Sequence, residues 1–351
     1  MPHRDYWMHM PKVLLHEHLD GGLRPATLFE LAHAKKLQLP VQTEAQLRQW
    51  ITANAHSASL ERYVSAFWMA VAVMGDAAAC ERVAFEAAQD ALDDGCVLAE
   101  FRMAPLLLEP HGLAPEAAVE ALVRGLQKCA LPSGLIVCAM RSDVPGEVER
   151  AARLAAKYAG QGVIGFDLAG AERGFPATLH RRAIDIAQHA GLGITLHAGE
   201  ADVGGRVLES IALGATRIGH GVHIALGEDA PVLMAQAAAA RTGDKGPVHF
   251  EVCPSSNVHT GVVARFADHP LPRMLQAGLS ASVHTDNRLM SMVSHSMELS
   301  QVNRVLGIGD TQLLEMACAA AQASFLPLAQ RAAAHGALMR WAESNRKTPS
   351  S

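Results

Sequence analysis

No C-x-x-C pair, no run of basic residues, no G-x-G-x-x-G after an early strand and few aromatic rings occur in this sequence. Each gap removes a class of protein. The six cysteines (Cys80, Cys96, Cys129, Cys138, Cys253 and Cys318) lie scattered in apolar, alanine-rich stretches, where a thiol behaves as a small hydrophobe. A disulfide framework is not expected, and a reducing cytoplasm fits better. Lys and Arg total 30 against 35 Asp and Glu, interspersed, for a net charge of −5. A nucleic-acid partner would want a basic stripe, which is missing. No apolar run reaches the roughly 18 residues of a membrane span, and MPHRDYWMHMPK at the start lacks the apolar segment of a secretory signal. The expectation is a cytoplasmic protein with neither a membrane nor a nucleic-acid partner. Its oligomeric state is written in no pattern of the sequence.

What remains is core-rich: half of the 351 residues are hydrophobic and 19% charged, enough for one large α/β domain or two ordinary ones. Short apolar runs, each ending in a polar or glycine-rich corner, recur along the chain. They are KVLLHEHLDG (12–21), VLAEFRMAP (97–105), LIVCAMR (135–141), VIGFDLAG (163–170), GITLHAGE (193–200), ATRIGHGV (215–222), VHFEVCPSSN (248–257) and LSASVHTDN (279–287). Helical stretches fall between them, among them 115–130, 147–158, 179–190 and 230–240. Pro115 and Pro145 stand where a helix start tolerates proline, and Gly160, Gly191, Gly214 and Gly278 where a helix would end. Eight such alternations call for parallel strands joined by helices. Polar candidates cluster at the C-terminal ends of several strands, as in barrel active sites. The expected fold is therefore an α/β, TIM-type (β/α)8 barrel with extra helices after strand 1. Residues 1–345 would form one domain and RKTPSS (346–351) a loose tail.

His16 and His18 are two apart on a strand, so both side chains fall on one face. Neutral imidazoles at that spacing suit zinc, although H-x-H alone is a weak signal. Other strand ends add His197-Ala198-Gly199-Glu200, Gly219-His220-Gly221 and His284-Thr285-Asp286-Asn287. His197 and Asp286 are the natural candidates to complete the set, because strands one, five and eight would point their ends into one bowl.

In order, HEHLDG, DLAG, HAGE, GHG, CPSSN and TD resemble the signatures of the adenosine deaminase family from about residue 10 to about residue 340. That resemblance implies the (β/α)8 barrel and the zinc-dependent hydrolytic deamination of adenosine and deoxyadenosine to inosine plus ammonia. His16, His18, His197 and Asp286 would hold one zinc ion per chain, which lowers the pKa of its water toward ~7. Glu200 would give a proton to purine N1, and His220 would orient the water and shuttle its proton. The alternatives are a Glu200 that orients His197 and a His220 that is a fifth metal ligand. His18, Asp20, Gly170 and Asn287 would bind the nucleoside: Asp20 at the ribose hydroxyls, unless it caps the helix that begins at Pro25, and Gly170 through its N–H at N3.

Two departures stand out. The family commonly has a second aspartate and a proline where this chain has Asn287-Arg288; an asparagine amide can donate to purine N7 without being protonated. The family usually has asparagine where His284 stands, expected here as a buried support for the ligands or a competing one. Leu60 and Phe67, from a helical apolar stripe (Leu60, Tyr63, Val64, Phe67, Trp68, Val71), would cover the pocket. Eleven further histidines (His33, His56, His111, His180, His189, His223, His249, His259, His269, His295 and His335) are expected mostly in solvated or capping roles. A rival reading is deamination of another 6-aminopurine, such as aminofutalosine, adenine or an N6-substituted nucleotide, with Arg24, Arg62 and Arg173 as candidate phosphate contacts. A two-metal site with a carboxylated lysine lacks a lysine near GFDLAG, and a non-catalytic binding protein would not need the full set.

Overall fold

The computed structural model describes residues 2–56, 60–241 and 246–346, without the side chains of 2–5, 60–66 and 346. Eight parallel strands follow one another in chain order around a barrel: β1 (Lys12–His18), β2 (Cys96–Met103), β3 (Ser133–Met140), β4 (Val163–Ala169), β5 (Gly193–Ala198), β6 (Arg217–His220), β7 (His249–Val252) and β8 (Ser280–Val283). Past the end of β8, Asp286 N–H donates to His16 O and His18 N–H donates to Asp286 O, both at 3.0 Å, which joins the last strand to the first. Helices Pro115–Gln127, Pro145–Lys157, Arg181–His189 and Ala230–Ala239 lie between strands as the sequence indicated. Three extra helices, Pro25–Ala34, Glu44–Ala55 and Leu60–Val73, stand between β1 and the helix Ala77–Asp93 that returns to β2.

Period-two alternation divides each strand into two faces. Leu135, Val137, Phe166, Leu168, Ile194, Leu196, Ile218, Phe250 and Val252 pack with the helices into one apolar cluster. On β5 to β8 most of the alternate residues are polar, while β3 contributes Ile136 and Cys138. Register places Thr195, Arg217, His249 and Ser280 side by side, and in the next layer His197, Gly219, Glu251 and Ser282. Gly219 leaves room in that upper layer, since a Cβ there would lie 3.1 Å from the His16 ring.

At two seams, side chains replace the backbone ladder. β4 and β5 pair only at Gly165–Gly193 and Phe166–Ile194. Above that, Asp167 Oδ1 accepts the His197 N–H at 3.2 Å, and the Arg141 guanidinium donates to the carbonyls of Leu168 and His197. Between β8 and β1, His284 Nδ1 accepts the Leu15 N–H at 3.2 Å. Both openings adjoin the polar cluster at the barrel mouth. Among the described residues no helix is long and apolar enough to cross a membrane.

Candidate active site

His16, His18, His197 and Asp286 converge at the C-terminal end of the barrel, their four possible ligand atoms within 4.8 Å of one another. His16 Nε2 lies 3.3 Å and His18 Nε2 3.5 Å from Asp286 Oδ1, and His18 Nε2 lies 3.3 Å from His197 Nε2. The far side of each ring accounts for this orientation. His16 Nδ1 donates to Glu251 Oε2 at 2.9 Å, and His197 Nδ1 donates to Asp167 at 3.0 Å. A carboxylate only accepts, so both rings keep the Nε2 lone pair for the cluster. Ser256 Oγ donates to Asp286 Oδ2 at 2.6 Å and leaves Oδ1 free.

His16 Nε2 and Asp286 Oδ1 are buried without any hydrogen-bond partner, an arrangement whose cost a bound ion would remove. Charge points the same way. Beneath the cluster, the fully buried Arg102 and Arg217 bridge Asp167, Glu251 and Glu100 at 2.5–2.7 Å. With Asp286, four carboxylates face two guanidiniums, an excess of two negative charges that a divalent cation cancels. Burial alone would raise the pKa values of Asp167 and Asp286. His197 and Arg102 hold Asp167 low instead, and the surrounding imidazoles of His16, His220 and His18 hold Asp286 well below the carboxylate range. Burial pushes His197 down to about 3, so the ring stays neutral, the form that binds a metal. These residues fit a divalent metal ion.

The cluster opens into a cavity of about 570 Å3, a size typical of small-molecule sites. Glu200 and His220 line it, with His220 Nε2 3.7 Å from Glu200 Oε2. His220 and Asp286 hold left-handed φ values of 60° and 58°, a strain that non-glycine residues keep only where the surroundings impose it. Burial raises the pKa of Glu200; the charges of Asp286 and Glu172 add to the rise and His220 opposes it. Gly170, at φ 86°, exposes its backbone to the cavity. Asp20 Oδ1 and Asn287 Oδ1 are buried without partners, and both residues line the cavity. Arg24, not Asp20, stands at the start of helix Pro25–Ala34, so Asp20 is no cap. Phe67 and Trp68 roof the cavity, Val71 joins the core, and the side chains of Leu60, Tyr63, Val64 and Arg62 lie outside the described ones.

The adenosine deaminase family model matches residues 11–341. An adenosine deaminase of Mycolicibacterium gilvum is 40% identical over 339 residues, covering 92% of each chain. The chain belongs to the adenosine deaminase family. Among solved structures, an adenine deaminase from Arthrobacter aurescens superposes with a TM-score of 0.84 at 24% identity, over 95% of this chain and 99% of that one. An amidohydrolase from Burkholderia ambifaria with bound Zn superposes with 0.85 at 22%, over 97% and 93%.

Within this adenosine deaminase fold, the residues that sequence patterns left unassigned are the anchors. Glu172, 3% exposed, accepts the backbone N–H groups of Gly199, Glu200, Ala201 and Asp202 at 2.6–3.0 Å and so fixes the loop that carries Glu200. In CPSSN, Ser255 meets Glu298, Ser256 meets Asp286 and Asn257 meets His220. The one available signal was charge inside strands buried on both faces, at Glu100, Arg102, Asp167, Arg217 and Glu251. His284 is no part of the ligand cluster: its Nδ1 takes the Leu15 N–H and its Nε2 meets Ser282 Oγ at 2.6 Å. The solvated or capping role expected for the other histidines fails for His180, His249 and His295, which are at most 5% exposed and bond Arg141 O, Ser280 with Ser282, and Val283 O respectively. His269 is buried as well, but its Nδ1 accepts the Leu271 N–H at the start of the helix Leu271–Gln276, and its Nε2 meets Asn257.

Proposed function

We propose that this protein is a cytosolic, zinc-dependent hydrolase that deaminates adenosine and deoxyadenosine, yielding inosine or deoxyinosine plus ammonia. The observation that carries the reading is the meeting of Glu200 and His220 with a buried cluster of three histidines and one aspartate in one cavity. Three imidazoles with one carboxylate suit zinc, and the Burkholderia neighbour carries Zn. His16, His18, His197 and Asp286 would hold the ion, which when bound supplies a water acidic enough to attack at neutral pH.

The chain's own groups do the rest. Glu200 keeps a proton under burial and gives it to purine N1 as water adds to C6, so negative charge does not build on the ring. His220 orients the water. The Gly170 N–H meets N3, where the left-handed backbone and the missing side chain admit the base. Asn287 donates to N7, and the partnerless Asp20 Oδ1 takes a ribose hydroxyl. A nucleoside fits better than a nucleotide: among the described residues no lysine or arginine lines the cavity. Arg24 is bonded to Asp90, and Arg173 to Ala201 O.

Turnover of adenosine, deoxyadenosine, adenine, aminofutalosine and N6-methyl-AMP by zinc-loaded protein tests the assignment. The two nucleosides should lead. Adenosine as the poorest substrate would overturn it.

A further inference from the structure

Behind His220 runs a buried string of hydrogen bonds with a direction. Leu271 N–H meets His269 Nδ1 at 3.2 Å. A backbone N–H can only donate, so Nδ1 holds a lone pair and a neutral His269 carries its proton on Nε2. That nitrogen lies 3.2 Å from Asn257 Oδ1. With its oxygen engaged, Asn257 presents its NH2 to His220 Nδ1 at 3.1 Å. The NH2 also only donates, which makes His220 Nδ1 an acceptor. His269 is 3% and Asn257 0% exposed. Burial lowers the His269 pKa to about 3, so the ring stays neutral. Asn257 cannot drift, because its N–H donates to Cys253 O and its carbonyl accepts from Val263 N–H, both at 3.0 Å.

We propose that His269, acting through Asn257, fixes His220 as the Nε2–H tautomer, so that His220 meets the cavity as a hydrogen-bond donor and not as a resting base. His269 does not line the cavity; it is a positioning residue. The inference rests on the role given above to His220 and changes its content. A resting His220 of this tautomer orients the attacking water by donating to its oxygen, and the water's first proton passes to the carboxylate left on Glu200 once that group has given its own proton to purine N1. Its Nε2 has no lone pair with which to accept the water's first proton, so the shuttle role expected from the family resemblance does not belong to the resting ring. The polarity originates at the Leu271 amide, which no side-chain rotation can reverse.

The test uses full-length, zinc-loaded protein with 15N in the histidine rings, read by long-range proton–nitrogen correlation at a pH above the imidazole range. In wild type, His220 should show a pyridine-type Nδ1 and a pyrrole-type Nε2, its signals identified by their loss in His220→Ala. His269→Leu should blur that pattern and lower kcat about 10–100-fold, with KM within about threefold and zinc content unchanged. In His269→Gln the amide nitrogen can still donate to Asn257, so both the tautomer and most of kcat should return. A pyrrole-type Nδ1 in wild-type His220 overturns the relay, and that measurement stands even if a variant fails to fold. A His269→Leu protein with wild-type tautomer and kcat overturns it as well. Full turnover by His220→Ala would instead overturn the role of His220 and leave the tautomer assignment intact.

Discussion

Glu200 and Asp286 are two buried carboxyl groups on one cavity, and their surroundings push them in opposite directions. Burial raises Glu200, while the three nearby imidazoles of His16, His220 and His18 overcome burial at Asp286 and hold it ionised. Divergent pKa values in neighbouring carboxyl groups mark one as proton donor and the other as a permanent anion. Glu200→Gln keeps size and hydrogen bonding but removes the acidic proton. It should lower kcat by about 10^2–10^4 while zinc content and nucleoside affinity stay at wild-type levels. Metal analysis and inhibitor binding on the same preparation check this: loss of metal would place Glu200 among the ligands instead. The sign with pH follows from the role. Glu200 must be protonated, so kcat/KM should hold below its raised pKa and fall as pH rises through it, and the Gln variant should lack that limb.

At the scale of elements, strands bring the side chains to the mouth and loops aim them. The loop 199–202 is short of partners of its own, and Glu172 supplies them by accepting four consecutive backbone N–H groups. Glu172→Ala should cost about 1–3 kcal/mol in stability through unpaired buried amides. It should also lower kcat/KM about 10–100-fold by freeing Glu200. Unchanged kinetics beside a lowered Tm would show that the loop holds its shape without the anchor. Glu172 also marks the boundary of what the sequence could reveal. The ligands were legible because each sits in a short motif at a strand end, and His16-x-His18 declares its common face by spacing alone. Their anchors were not, since Asp167 and His197 are 30 residues apart and Arg102 and Glu251 are 149 apart. Such pairs become neighbours only when the barrel closes. The polar corner CPSSN after strand seven is a helix from Pro254 onward, and its turn carries three consecutive polar residues to Glu298, Asp286 and His220.

For the whole molecule, the polar interior ties stability to pH. Away from the ligand cluster, burial pushes His249 and His269 to about 3 and His295 to about 4, and it lowers His284 well below the usual imidazole value. Each ring is neutral when folded and takes up a proton on unfolding once pH drops below about 6.5. The unfolded state then binds more protons, so stability is complete above that value and is lost as pH falls toward the folded pKa, by roughly 1.4 kcal/mol per pH unit per histidine. Three buried carboxyls oppose this. Glu17 and Glu200 are raised by burial, and Glu298 is raised to about 7, so each favours the folded state as pH falls. The depressed Asp167, Asp286 and Glu251 enter only below about pH 4, near their unfolded values, where they add to the loss. Four histidines against three carboxyls leave a net fall between about pH 6.5 and 4.5, steepening below it. Urea unfolding of zinc-loaded protein across that range should show it, and His249→Gln isolates one contributor. His249 bonds only Ser280 and Ser282 among the described side chains, and glutamine offers both a donor and an acceptor without a titrating ring. The variant should lose about 1.4 kcal/mol per pH unit from the slope whatever its stability at neutral pH. A slope equal to that of wild type would mean that His249 is already charged in the folded barrel.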